Sequence, residues 1–387
     1  MRLSNLILEI AENSIKFQNE NGSFLPGHNG PYYDSETPVR NSGHWLITFS
    51  KCYKLTNKSK YRDKAYQVAE YLTSEYARPN GYSFYHRNKK GKDKCNGLIG
   101  QAWTIEALVE ATKILEDNKY SLLAEEVFFQ HKFNEECGLW NRLGIDGQIL
   151  PIDSAFNHQL WFAVCASLIK SKRSNEILRR IKKFINMLPQ NLTTLENGII
   201  FHPIEWLSKD NSINCNMENT ILVKKVKNYL KTSRNFILNK RILTEEEIYD
   251  KEIYKSIGYH SFNMYAFSIL KSQLPNNAIW QSDLMERSIK FLLSNEYINL
   301  LENNKYAFPY NPPGFEVPYS LYILKKMKRK EFIGISKYWI NRQFDECFNK
   351  KSFMMDRNTK DFLTHTARIY ELTRLPDSIL KEILINY

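Results

Sequence analysis

The chain has 387 residues, of which 43% are hydrophobic and 25% charged, and its formal net charge is +12. This composition is typical of a globular protein with a large core and argues against disorder. Lysine is spread along the whole chain and no nucleic-acid-binding motif is present, so we expect no nucleic-acid partner. A concentrated basic run, KSKRSNEILRRIKK from Lys170 to Lys183, is interpreted as a solvated helix face. No uncharged apolar stretch approaches ~18 residues, which argues against a membrane span.

In chain order, the first recurring feature is an amphipathic helix that ends in a turn and a large apolar residue. The apolar residues are Phe24, Phe84, Trp140, Phe201, Phe308 and Phe353. Four of the turns contain Asn-Gly or Cys-Gly, at 21–22, 80–81, 137–138 and 197–198, where glycine adopts positive φ at little cost. The sequence therefore predicts six repeats with short extended turns.

A second, more apolar helix is predicted after each turn, at 41–55, 97–115, 155–169, 259–274, 318–326 and 362–374. Helices that are apolar on all sides are buried, whereas amphipathic ones face water on one side. Six alternating outer and inner helices predict an all-α fold, an (α/α)6 toroid of six helical hairpins. We expect one domain, 1–387, with an insertion at about 206–255 in the fourth repeat and an extra terminal helix at 377–386.

The segments that lead into the inner helices are rich in aromatic and polar residues. In a toroid the inner helices point the same way, so these segments converge on one mouth. Aromatic faces stack on sugar rings, and amides and helix N-termini pair with hydroxyls. We therefore predict a carbohydrate site whose binding residues are Tyr32, Arg40, His44, Gln101, Trp103, Asn157, His158, Trp161, Tyr259 and Arg368.

Acid/base groups are predicted at the same mouth. Four histidines stand at inner-helix starts, namely His44, His158, His260 and His365, and neutral imidazoles exchange protons near pH 7. Hydrolysis would instead need two facing carboxylates, and the candidates are Asp34, Glu36, Asp153, Glu316 and Asp361. Asp153 and Asp361 also stand at good N-cap positions. Neither HExxH nor a CxxC pair is present, so we expect no metal and no cofactor.

These features resemble the six-hairpin glycosidase-like superfamily, which includes glycoside hydrolases, unsaturated glucuronyl hydrolases and the N-acylglucosamine 2-epimerase family. The stretch FSKCYKLTNKSKYRDKAYQVAEYL and the pair His365/Arg368 are similar to the epimerases. The resemblance implies that His260 and His365 form the acid/base pair. However, Asn263 replaces the glutamate that the epimerases carry three residues beyond the first histidine. The segments GHNGPYYDSETPVRNSGHW and CNGLIGQAW look instead like a branch associated with surface-polysaccharide gene clusters.

Three functions remain open from the sequence. The first is a sugar or uronate epimerase or isomerase, with Arg40 or Arg368 holding a carboxylate or an enediolate oxygen. The second is a glycoside hydrolase or polysaccharide lyase, with Asp153 or Glu316 as the general acid and a carboxylate of the Asp34/Glu36 pair as the base. The third is a sugar-binding component without catalysis.

The sequence also bears on the ligand and on the setting of the protein. The basic net charge mildly favours an anionic sugar as the ligand. Six widely spaced cysteines fit a cytoplasmic protein, and a homodimer remains open.

Overall fold

The computed structural model describes residues 1–204 and 244–386. Outer and inner helices alternate along the chain. In chain order the helices are α1 (Leu3–Ser14), α2 (Val39–Thr56), α3 (Ser59–Thr73), α4 (Gly97–Leu115), α5 (Lys119–Gln130), α6 (Phe156–Ser167), α7 (Ser174–Asn191), α8 (Glu245–Gly258), α9 (His260–Gln273), α10 (Asp283–Leu292), α11 (Asn295–Leu300), α12 (Pro313–Leu324), α13 (Arg329–Cys347), α14 (Phe362–Ala367) and α15 (Asp377–Glu382).

The inner helices form a closed ring. Helix α2 contacts α4, α4 contacts α6, α6 contacts α9 and α9 contacts α12. Helix α12 then contacts the 3₁₀ helix Arg368–Arg374, which continues α14 and packs against α2. The outer helices α1, α3, α5, α7, α10 and α13 precede the six inner ones, so the all-α (α/α)6 toroid is confirmed.

Burial separates the two kinds of helix. Nearly every residue of α4 is buried, from Gly97 to Val109, whereas α7 buries one stripe at Ile177, Ile181, Phe184 and Leu188. That spacing of three to four residues is the period of a helix with one face in water. The apolar core therefore lies between the two rings of helices.

The turns that end the outer helices are anchored to the next inner helix by its own side chains. In four repeats the backbone N–H of the apolar residue after the turn donates to a side-chain oxygen of that helix. The pairs are Phe24 with Ser42, Phe84 with Gln101, Trp140 with Gln159 and Met355 with Thr366, at 2.8 to 2.9 Å. These contacts set the register of each hairpin, and in the sixth repeat the anchored residue lies two positions beyond the predicted Phe353.

The predicted turns and helix ends differ in detail. All four predicted turn glycines have positive φ, and the third turn is part of a small antiparallel sheet of β1 (Phe133–Asn134), β2 (Leu139–Leu143) and β3 (Ile149–Ile152). Helix α12 begins at Pro313, five residues before the predicted start, because this proline is pre-organised for the first helical turn. Most of the predicted 206–255 insertion lies outside the described residues, and its last part belongs to α8.

The chain ends meet and close the outer ring. The Leu3 N–H donates to the Ile383 carbonyl at 2.9 Å, and α15 packs against α1. Helix α15 ends at Glu382 rather than at the predicted residue 386. No helix in the two described ranges combines the length and the apolarity that crossing a membrane requires.

Candidate active site

A cavity of about 160 Å³ opens at the end of the ring where the inner helices begin. This is the mouth that the sequence predicts. The predicted residues that line the cavity are Tyr32, Asp34, Arg40, Trp103, Asn157, His158, Tyr259 and Arg368. They come from segments that are far apart in the chain, which the closed ring brings together.

His158 is held by a buried carboxylate. Its Nδ1 lies 2.9 Å from Asp153 Oδ2, and about a quarter of its side chain is exposed to the cavity. Asp153 also accepts the backbone N–H groups of Leu98 and Ala155. Burial raises the pKa of Asp153, but His158 and these N–H groups outweigh burial, so the pKa lies below its usual value. An ionised Asp153 places the ring proton on Nδ1 and leaves Nε2 as the basic nitrogen.

Arg40 and Trp103 form one wall of the cavity. The guanidinium carbon of Arg40 lies 4.0 Å from the centroid of the Trp103 ring, a cation–π geometry. Arg40 donates to Asn29 at 3.1 Å and to Glu36 at 3.0 Å. Burial raises the pKa of Glu36 despite Arg40 beside it. The wall therefore presents the Arg40 cation, and Glu36, which does not line the cavity, supplies its carboxylate partner.

Arg368 is balanced in the same way. It contacts Glu316 at 2.6 Å and Glu371 at 2.5 Å, and it donates to Asn311 at 2.8 Å. Burial lowers the pKa of Arg368, but the two carboxylates outweigh burial and raise it. Glu316 also accepts a hydrogen bond from Ser261. Arg368 thus reaches the cavity, whereas Glu316 lies behind it.

Three tyrosine hydroxyls form a hydrogen-bonded chain at the cavity wall. The hydroxyls of Tyr32 and Tyr259 are 2.9 Å apart, Tyr259 is hydrogen-bonded to Tyr310, and Tyr310 donates to Asn29 Oδ1 at 2.8 Å. Burial raises the pKa of Tyr259 well above its usual value, and Tyr310 and Tyr32 add to the rise. These tyrosines therefore remain protonated and offer hydroxyl groups rather than charge.

His260 and His365, the acid/base pair that the resemblance implies, do not line the cavity. Their rings turn toward outer helices. His260 Nε2 donates to the Ser288 carbonyl of α10 at 3.0 Å, and the Gln343 amide nitrogen of α13 lies 3.4 Å from His365 Nε2. Burial lowers the pKa of His260 to about 4 and that of His365 to about 3. Their positions suit neutral core histidines.

The remaining predicted site residues also lie behind the lining, for identifiable reasons. His44 stacks on Tyr370 with a centroid distance of 4.3 Å, and Trp161 stacks on Phe262 at 4.6 Å. Gln101 is occupied by the backbone of Phe84 and Cys95. Asp153 contacts the lining residue His158, and Glu316 contacts the lining residue Arg368. These five predicted site residues therefore lie next to the residues that line the cavity rather than among them.

Ten further residues line the cavity, and of these the sequence had suggested Asn96 alone, as a partner for sugar hydroxyls. They are Asn29, Arg87, Lys92, Asn96, Ile99, His202, Lys255, Phe262, Tyr310 and Asn311. Arg87 and Lys92 belong to the basic run RNKKGKDK, a local signal that could have been used. His202 precedes the predicted insertion and Lys255 is its last residue, and their approach to the mouth has no signature in the local sequence.

Comparison with known proteins extends these observations. No protein-family model matches the chain. Archaeal glycosylation protein Q of Haloferax volcanii is 38% identical over 379 residues, which cover 97% of this chain and 98% of that protein. Cellobiose 2-epimerase from Bacillus thermoamylovorans superposes with a TM-score of 0.60 at 11% identity, covering 95% of this chain and 98% of the other. An inactive α-1,6-mannanase variant from Salegentibacter, solved with α-1,6-mannotetrose, has a TM-score of 0.57 at 12% identity, covering 96% and 98%.

The closed double ring and these superpositions define an (α/α)6 toroid, which is the fold that the resemblance implied. Within that class, the identity over almost the full length of both chains decides the family. The chain belongs to the family of archaeal glycosylation protein Q.

Proposed function

We propose that this chain is a sugar epimerase or isomerase in which His158, oriented by Asp153, moves a proton on a sugar carbon. The observation that carries the proposal is the His158–Asp153 contact of 2.9 Å at the cavity wall. A carboxylate on Nδ1 fixes the tautomer and makes Nε2 the group that takes the proton. His260 and His365 have no part in this assignment, because their rings face the outer helices.

A second proton-transfer group lies beside His158. The ring centroids of His158 and His202 are 6.4 Å apart, and His202 lies 5.0 Å from the Tyr259 ring. Burial, then the charge of Lys255, lowers the pKa of His202 well below its usual value, so its imidazole is neutral at pH 7. We assign the return of the proton to the Tyr259 hydroxyl, which is protonated at pH 7, or to His202 once it has itself been protonated. Arg40 would stabilise the negative oxygen that develops when the proton leaves.

The comparisons support a carbohydrate substrate. The name of the Haloferax relative refers to glycosylation. Cellobiose 2-epimerase, which has the same fold, is named as a sugar epimerase. Two or more titratable groups share one cavity. Catalysis requires such an arrangement, whereas sugar binding alone does not. A non-catalytic sugar-binding role therefore has less support.

Hydrolysis or elimination also has less support, although a mannanase shares the fold. Among the described residues that line the cavity, Asp34 is the sole carboxylate. Lys92 contacts both of its oxygens at 2.7 to 2.8 Å, and Arg87 lies 3.5 Å away. A hydrolase needs two carboxylates that face each other across the bond, one of them protonated.

Solvent deuterium tests the proposal. The protein is incubated in D₂O with a panel of aldoses, ketoses and uronates, and NMR follows the exchange of carbon-bound hydrogen. We expect exchange at one carbon of one sugar. His158→Gln should slow it on the order of 10²- to 10⁴-fold, the usual contribution of a positioned base. Asp153→Asn, which changes a positioning residue, should lower kcat while KM changes little.

His260→Gln is the matched control, because it changes a histidine at another inner-helix start that does not reach the cavity. We expect it to retain exchange once circular dichroism shows that it is folded. Exchange by His158→Gln at the wild-type rate would contradict the proposal, as would a panel in which no sugar exchanges. Release of reducing ends from an oligosaccharide would favour the hydrolase instead.

A further inference from the structure

Five cations line the cavity, and four of them have a carboxylate partner. Arg40 pairs with Glu36, Arg87 with Asp93, Lys92 with Asp34, and Arg368 with Glu316 and Glu371, at 2.5 to 3.1 Å. The fifth cation is Lys255 of α8, for which the described part of the chain supplies no ion pair and no hydrogen bond. Within the described residues, the cavity therefore contains one positive charge that no ion pair or hydrogen bond compensates.

The other described surroundings of Lys255 compensate its charge only weakly. Its ammonium lies 5.9 Å from the Tyr32 ring centroid and 6.0 Å from that of Tyr259, at the outer limit of a cation–π contact. Burial, its largest influence, lowers the pKa of Lys255, and nearby Lys92 adds to the effect, whereas Glu252 one turn earlier opposes it. A half-buried ammonium without a partner is costly unless a ligand supplies the opposite charge.

We propose that Lys255 binds a carboxylate group of the substrate, which makes the substrate a uronate; this rests on the proposed function, since it takes the ligand to be a sugar. One uncompensated lysine matches the single negative charge of a carboxylate. A phosphate carries about two charges and is usually met by a fork of arginine or by several donors. The hydroxyls of Tyr32 and Tyr259 are hydrogen-bonded to each other and, through Tyr310, to Asn29, so Lys255 supplies the binding contact for this group.

The position of Lys255 also relates the carboxylate to the chemistry. Lys255 lowers the pKa of His202, so the two groups are electrostatically coupled, and His202 lies between Tyr259 and His158. A carboxylate on Lys255 would offset this charge and raise the pKa of His202. The bound substrate itself would then make His202 a better proton carrier.

Binding measurements without turnover test this inference. Wild-type protein is titrated calorimetrically with glucuronate and galacturonate, and with glucose and galactose as the neutral counterparts. We expect the matching uronate to bind about 10- to 100-fold more tightly than its neutral sugar, as one charge-assisted hydrogen bond predicts. Lys255→Met should abolish this preference, and added salt should weaken it in the wild type.

Lys251→Met is the matched control, because Lys251 is an exposed residue of the same helix and its loss changes the net charge equally. We expect it to keep the preference for the uronate. Equal affinity of the wild type for neutral sugars would overturn the inference, as would a preference that survives Lys255→Met or tighter binding of a sugar phosphate than of any uronate.

The outcomes separate this inference from the proposed function. A Lys255-dependent preference for uronates without deuterium exchange would support the carboxylate site and contradict the epimerase or isomerase. Exchange on a neutral sugar that is unaffected by Lys255→Met would do the reverse.

Discussion

At the residue scale, histidines with similar sequence positions have different environments. His158 and His260 both stand in the first turn of an inner helix, yet His158 reaches the cavity and His260 packs between Phe291 and Tyr297. Successive residues along a helix are rotated by about 100° around it. A shift of one or two positions therefore turns a side chain from the axis of the toroid toward the outer ring of helices. His158 is the third residue of α6, whereas His260 is the first residue of α9.

The environment of His260 predicts how stability depends on pH. Its pKa is about 4 in the folded state and 6.5 in its ordinary state. Between these values the unfolded chain binds a proton that the folded chain does not, so stability falls as the pH drops from about 6.5 toward 4. At pH 5 the difference in proton binding at His260 lowers the free energy of unfolding by about 2 kcal/mol.

Urea denaturation at pH 7 and pH 5 measures this dependence. We expect the fall in unfolding free energy between the two pH values to be smaller in His260→Gln than in the wild type by about 2 kcal/mol. An equal fall in both proteins would mean that His260 is protonated in the folded state and therefore lies in a more polar environment.

At the element scale, the site depends on how the start of α4 meets the start of α6. Asp153 precedes α6, yet its Oδ2 accepts the Leu98 N–H in the first turn of α4. It therefore caps the neighbouring inner helix as well as holding His158. Gly97 makes this approach possible, because its φ is +59° and an added Cβ would lie 2.4 Å from Asp153 Oδ2 and 2.7 Å from His158 Nδ1.

Gly97→Ala should therefore damage the site beyond its effect on the backbone. Positive φ costs a non-glycine residue about 1 kcal/mol or more. Gly81→Ala is the matched control, since its φ is +68° and a Cβ there meets nothing within 4 Å. We expect both variants to lose stability and Gly97→Ala alone to lose deuterium exchange. Retained exchange in Gly97→Ala would show that the His158–Asp153 contact tolerates displacement.

At the scale of the whole molecule, the toroid is closed by contacts between the first and last helices. Leu380 of α15 is fully buried, whereas Leu384, two residues beyond the end of the helix, is 55% exposed. The backbone hydrogen bonds at this closure, such as that from Leu3 to Ile383, join segments that are more than 370 positions apart. The mouth depends on this closure, because Arg40 and Arg368 lie on inner segments that meet across the same seam.

Leu380→Ala should lower the free energy of unfolding by about 2 to 5 kcal/mol, the usual range for a buried leucine. Leu384→Ala should change it by less than about 0.5 kcal/mol, because its side chain already contacts water. Thermal and urea unfolding of both variants measure the difference. Equal effects would mean that the seam does not contribute to global stability.

The repeat, the helix classes and the turns could be determined from the sequence alone. Each depends on local causes: the period of apolar residues in α7, the positive φ of Gly22 and Gly138, and the buried run of α4. These causes act within about ten residues, so a single stretch of sequence contains them. The mouth of the toroid and much of its lining followed from the repeat.

The roles within the mouth depended on tertiary structure. The ring set the direction of each first-turn side chain, and so separated His158 from His260 and His365. It also placed Asp153 beside His158 and supplied carboxylates to four of the five cations, whereas no described carboxylate pairs with Lys255. Such pairings join residues that are tens to hundreds of positions apart, and their energies depend on distances and burial that exist only once the ring has closed.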